Sequence, residues 1–248
     1  MAKINPKLVE GIHRSLVSHI LEHYERYYYL AYSLVKNHEG AAKTVTKAVY
    51  FSLYNGRKLR DLPPMHVWIL QLVIRDGMRT MNRGTYPREF TKDSQLYAYM
   101  ETLEPSATNA FKLHYFEELN MEKVGDVLNL NKEEVQRRLS YVRSELKIDS
   151  SMDEESEIRL QELKSVYESP EIPENFLEEV EEAIRKEEEN YASLLEKYRR
   201  DRIRKPIGVL ILAAAFFFGT IFLGRTNPTF AESVLSLPII SKLFMPFF

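Results

Sequence analysis

The chain has 248 residues, with 34 Lys and Arg against 36 Asp and Glu, six His and no Cys. That length gives room for two small domains and a tail, and the lack of cysteine excludes disulfides, thiolate zinc sites and a cysteine nucleophile. Charge is uneven: residues 1–150 hold 22 Lys and Arg against 18 Asp and Glu, residues 151–198 hold 5 against 16. A mildly basic head followed by an acidic stretch points to an anion-binding module with a linker or partner-binding arm behind it; the alternative is two sets of solvated helix faces.

Glycine is scarce and strand-like alternation is nearly absent, while apolar residues recur at three and four. This predicts an all-α chain. A first helix starts near Pro6, with Leu8, Ile12, Leu16 and Ile20 on one face, and leads into the aromatic segment Tyr24–Val35. Asn37–Gly40 reads as a turn. Ala41–Tyr54 resumes the helical period, Leu62-Pro63-Pro64 breaks it, and Met65–Arg83 forms the next helix, with Trp68, Leu72 and Ile74 apolar. Gly84–Pro87 closes this part, and residues 88–100 read as a connector.

Helices follow at Ser106–Glu117, Met121–Leu128 and Lys132–Leu146. The short link Asn129-Leu130-Asn131 ends in a good N-cap, Asn131, and two helices so joined, the second rich in Arg and Gln, make a helix-turn-helix pattern. In such a motif the second helix enters the major groove, where Arg and Gln reach base edges. Lys132, Gln136, Arg137, Arg138, Ser140 and Arg143 are the candidate DNA-binding residues there, with Val135, Leu139, Val142 and Leu146 as the buried side. Glu133 and Glu134 suit the helix dipole but oppose phosphates if they face the groove. Two readings stand open for this helix, DNA contact or a fold now given to protein binding.

Asp149–Glu157 reads as an acidic linker, Pro170 and Pro173 bracket a turn, and Glu174–Arg204 reads as a long charged helix. Ile207–Gly224 is uncharged over 18 residues, enough to span a bilayer core of about 30 Å. Arg199, Arg200, Arg202, Arg204 and Lys205 precede it and only Arg225 follows closely, so the head is expected in the cytoplasm and the short tail outside. That apolar tail is expected against the outer membrane lipid. Thr229-Phe230-Ala231 has the small-x-small form of a cleavage site, a secondary option. The tyrosines 24, 27, 28, 29 and 32 and Trp68 fit core packing better than a base-stacking platform. His19 and His23 stand at i, i+4 without a third ligand motif, so no metal site, cofactor site or catalytic set is assigned, and the chain reads as a non-enzyme.

Residues 10–147 resemble a two-domain extracytoplasmic-function sigma factor. Tyr28–Val35 and Val67–Arg83 resemble two helices of its region two. Leu103-Glu104-Pro105 and Phe111–Glu117 resemble the opening of region four, and Met121–Leu128 with Val135–Leu139 its helix-turn-helix. The resemblance implies promoter DNA and the RNA polymerase core as partners, and adds Arg75, Arg79, Asn82 and Arg83 as a second DNA-binding face. Two departures stand out. Ala42, Lys43 and Lys47 replace an acidic strip that the family uses on the polymerase clamp, which reverses the charge complementarity; Asp76 stands where Asn is usual. Leu160–Phe248 resembles the membrane segment of transmembrane anti-sigma factors of the lysozyme-sensing type, through Tyr167–Pro173, the apolar run and Asn227–Glu232.

The implied organisation is a region-two-like helical bundle over 1–87, a connector over 88–105, a region-four-like helix-turn-helix domain over 106–148, an acidic arm over 149–205, a transmembrane helix over 206–224 and an external tail over 225–248. The expected function is a membrane-tethered, sigma-like transcription regulator of a bacterium that binds promoter DNA, RNA polymerase or both to direct transcription initiation in response to an envelope signal. The alternative is an anti-sigma-like protein that holds a separate sigma factor at the membrane.

Overall fold

The computed structural model describes residues 6–56, 64–89, 94–149 and 153–227, with 229 and 232. Among these residues all regular structure is helical. Residues 1–189 form one compact unit and residues 190–248 a second.

The first unit begins with a three-helix bundle of α1 (Pro6–Val35), α2 (His38–Gly56) and α3 (Met65–Arg83). The two expected N-terminal segments are one continuous helix, α1. Leu16, Ile20, Tyr27, Tyr28, Leu30 and Ala31 are buried along it, while the side chain of Leu8 lies outside the described residues. The expected turn at Asn37–Gly40 is instead the start of α2. Lys36 reverses the chain at φ 55°, and the Asn37 side chain then accepts from Gly40 N–H at 2.9 Å as an N-cap. Gly40 is buried, and the close approach demands glycine because a Cβ there would stand 2.6 Å from Val35 Cγ1. α3 keeps the boundaries expected of it and ends on Gly84 in the left-handed region at φ 59°, a conformation glycine adopts without strain. The expected break at Leu62-Pro63 falls outside the described residues.

The connector is not bare. Ser94 caps α4 (Gln95–Thr102) by accepting from Tyr97 N–H at 3.2 Å. α5 (Pro105–Phe111) continues into a π-helical turn, Lys112–Phe116, and a positive φ of 57° at Glu118 turns the chain toward α6 (Met121–Leu128) and α7 (Lys132–Glu145). Two charge groups, each with one buried member (Lys112 and Glu117), tie these parts together. Glu101 of α4 lies 2.7 Å from Lys112 and 3.2 Å from Lys36. Burial lowers the Lys36 ammonium to about 8, with the Lys112 charge acting the same way and Glu101 opposing them. Glu117, also buried, accepts from Arg26 Nε of α1 at 3.1 Å.

The stretch expected as an acidic linker contains the start of α8 (Glu154–Tyr167). Asp153 accepts from Ser156 N–H at 2.9 Å, and Glu154, Glu155 and Glu157 fill the first turn, where the helix dipole favours anions. α9 runs from Phe176 to Thr226. Among the described residues no helix is long and apolar enough to cross a membrane. The apolar run lies on α9, but the side chains of 207–211, 213 and 224 within it, and residues 228, 230, 231 and 233–248 of the tail, lie outside the described residues.

Candidate nucleic-acid interface

The helix-turn-helix is built from local rules. Asn120 caps α6 by accepting from Lys123 N–H at 2.9 Å. The helix ends on Asn129 at φ 57°, and Leu130 N–H returns to Gly125 O at 2.9 Å, the left-handed closure that Asn tolerates. The turn crosses its own helix so closely that a Cβ on Gly125 would sit 2.6 Å from Leu130 O. Asn131 then caps α7, accepting from Glu134 N–H at 2.8 Å. Val135, Leu139, Val142 and Leu146 are all buried, as their spacing predicts, and they orient the opposite face outward.

On that outward face Lys132, Gln136, Arg137 and Ser140 are exposed. Arg138 and Arg143 are only partly exposed, and Arg143 Nε is buried without a hydrogen-bond partner. Arg143 therefore stands more inward than the i, i+4, i+7 row with Gln136 and Ser140 suggests. Glu134 engages both central arginines. Arg137 donates to it twice, at 3.0 and 2.7 Å, and Arg138 Nε donates at 2.9 Å. The Arg137 guanidinium holds the Glu134 carboxyl below the usual carboxylate range. This fork fixes the two cations but offsets their field toward an incoming phosphate. Tyr141, 43% exposed on the same helix, is a residue that pattern reading passed over. It shares a surface hollow with Glu104, Arg137 and Arg138.

The second basic face lies on α3. Arg75, Arg79, Asn82 and Arg83 are all exposed, and their spacing of four, three and one keeps them on one side. Beneath them Asp76 is 2% exposed. Its Oδ1 is 3.6 Å from Arg75 Nε, 3.7 Å from Arg79 and 3.7 Å from Lys47 of α2, yet neither oxygen has a hydrogen-bond partner. Lys47 thus joins this face, a neighbour from another helix that no local pattern reveals. Gln71 of α3 donates to Asp126 O of α6 at 2.5 Å, which joins α3 to the first helix of the helix-turn-helix.

The tyrosines read as core are core: Tyr27, Tyr28 and Tyr32 are buried, with Tyr24 and Tyr29 packed against them. Trp68 is 9% exposed. His19 and His23 stack edge-on at 4.4 Å, and His66 of α3 joins them at 5.8 and 5.7 Å. Burial lowers His66 to about 3 and pushes His19 down as well. Among the described residues no group of three His, Asp or Glu is placed to hold a metal ion.

A curated relative, the RNA polymerase sigma factor SigV of Bacillus subtilis (strain 168), is 24% identical over 139 residues, covering 50% of this chain and 84% of the relative. No family model matches the chain, and no solved structure matches it. Over half its length the chain is therefore sigma-factor-like, a relationship that points to a role in transcription and to a protein that is not an enzyme.

Proposed function

We propose that the chain is a membrane-tethered, sigma-like transcription regulator whose head binds promoter DNA together with the RNA polymerase core. The observation that carries the DNA part is the α7 face, where Lys132, Gln136, Arg137 and Ser140 stand exposed over a buried apolar side. Charged and amide side chains on the outer face of a second helix suit base edges and phosphates. The α3 face, with Arg75, Arg79, Asn82 and Arg83 exposed, is the second contact.

Sequence supports the tether. Ile207–Gly224 carries no charge, five basic residues precede it within seven positions and one follows. A single-pass helix with the head in the cytoplasm and a short tail against the outer lipid accounts for this pattern. The domain boundaries stand as part of the same proposal.

Selection of bound duplexes from a random library tests the DNA role. The full chain in detergent micelles is expected to enrich one motif, and Arg137→Ala to lose that preference at its cognate base pair. Binding that neither enriches a sequence nor changes with Arg137→Ala contradicts it.

A further inference from the structure

We infer that Lys36 is a modification site: its side-chain amine takes an acyl group from a small acyl phosphate.

Two lysines share one carboxylate. Glu101 of α4 stands 3.2 Å from Lys36 and 2.7 Å from Lys112 of the π-helical turn, so the group holds one cation more than it holds anions. Arg88, exposed in the connector, adds to the positive field at Lys36. The backbone fixes Lys36 in place. At φ 55°, its N–H donates to Tyr32 O at 2.8 Å and its carbonyl accepts from Glu89 N–H at 2.7 Å. Its side chain reaches α4, where Nζ lies 4.9 Å from the centre of the Tyr97 ring. The two amines differ in access. The Lys112 side chain is 2% exposed and that of Lys36 is 19% exposed, so a reagent from solution reaches Lys36 and not its neighbour.

Burial and a second cation both disfavour an ammonium. Burial first, and then the Lys112 charge, bring Lys36 down to about 8 against the opposing pull of Glu101. At pH 8 about half of such amines are uncharged, against under about 1% for a lysine at the ordinary value of about 10.4. An uncharged, desolvated amine is a nucleophile. Its lone pair attacks the carbonyl carbon of the acyl phosphate, a carbon–nitrogen bond forms, and the carbon–oxygen bond to phosphate breaks. Phosphate leaves with the bonding pair and takes the amine proton, as hydrogen phosphate. The surplus positive charge favours this anionic donor over an uncharged thioester. The product suits the site. An amide carries no charge, so the repulsion from Lys112 ends while Glu101 keeps its partner at 2.7 Å. What is lost is the tie between the α1–α2 corner and α4, so the modification acts on the joint between the bundle and the helices that follow it.

The test is to incubate the full chain in micelles with acetyl phosphate and to follow acetylation of each lysine over time by mass spectrometry of its peptides. At pH 8 Lys36 is expected to react about fivefold or more faster than Lys132, exposed on α7, with Lys112 left unmodified. The Lys36 rate is expected to rise from pH 7 and to level off at about pH 9, once the amine is largely uncharged. Lys112→Met leaves Glu101 to Lys36 alone and is expected to slow Lys36 about threefold or more at pH 8. An uncharged acetyl thioester is expected to prefer Lys36 over Lys132 about threefold less than acetyl phosphate does. Acetylation of Lys36 no faster than Lys132 at pH 8, in the unaltered chain, overturns the site. A Lys36 rate still climbing steeply at pH 10 overturns the chemistry given for it, and an equal preference with the thioester overturns the acyl phosphate as donor.

Discussion

At the scale of single residues, Glu134 decides how much charge α7 offers. It is paired with Arg137 and Arg138 in one fork, so it both places the guanidiniums and screens them. Glu134→Gln keeps an acceptor and removes the charge. Nonspecific DNA affinity is expected to rise two- to tenfold, read by fluorescence anisotropy at fixed ionic strength. Arg137→Ala is expected to weaken binding and, where the contact is to phosphate, to lower the salt slope by about one. An unchanged affinity for both variants removes α7 from the interface.

His66 gives a pH prediction. Burial lowers its folded value to about 3 from 6.5, so between those values the unfolded chain binds more protons than the folded one. Stability that is present above about 6.5 is therefore lost as pH falls toward 3. His19 acts in the same direction. Glu117, held above the usual range by burial, opposes them over the acid range just above 4.5, since its folded form keeps the proton longer. Urea midpoints at pH 7 and pH 5 are expected to converge for His66→Gln relative to the unaltered chain. An identical pH dependence in both contradicts the assignment.

At the scale of elements, the helix-turn-helix stands on one close approach and one apolar stripe. Gly125→Ala forces its Cβ against the Leu130 carbonyl and is expected to cost about 1–3 kcal/mol; Leu139→Ala opens a cavity and is expected to cost about 2–5 kcal/mol. Both are read as urea-midpoint shifts, and a loss under 0.5 kcal/mol (roughly the scale of a neutral surface change) contradicts the packing described.

These elements were also the most legible in sequence. The 3.6 period of α3 and α7, the Asn131 cap and the buried set Val135, Leu139, Val142 and Leu146 follow from spacing alone. Asn37–Gly40 was not legible, because an Asn-x-x-Gly stretch suits a turn and a helix cap equally until Lys36 and Glu89 fix the chain around it. α4 is too short to show a period, and the acids opening α8 look like a linker although they suit its dipole. The charge pairs of Glu134 lie at i+3 and i+4 and are readable in sequence. The approach of Lys47 to Asp76, of His66 to His19, and of Phe176 to Tyr28 depends on tertiary packing and has no sequence period.

At the scale of the whole molecule, the sigma-like head and the arm up to residue 189 form one compact unit, and the apolar run lies further along α9. Substituting Ala214→Arg with Phe217→Arg places two charges in that run, each costing about 2.5–3.5 kcal/mol at a bilayer centre. The chain is expected to move from the membrane to the soluble fraction on centrifugation of lysed cells. Equal partition of both forms contradicts the tether.

The proposed function requires the head to work with RNA polymerase. Affinity recovery of the tagged full chain from gently solubilised membranes of the cells that make it, followed by mass spectrometry, tests this directly. The polymerase β and β′ subunits are expected to come with the chain. Recovery of a separate sigma factor without β and β′ contradicts it and makes the molecule an anti-sigma-like tether.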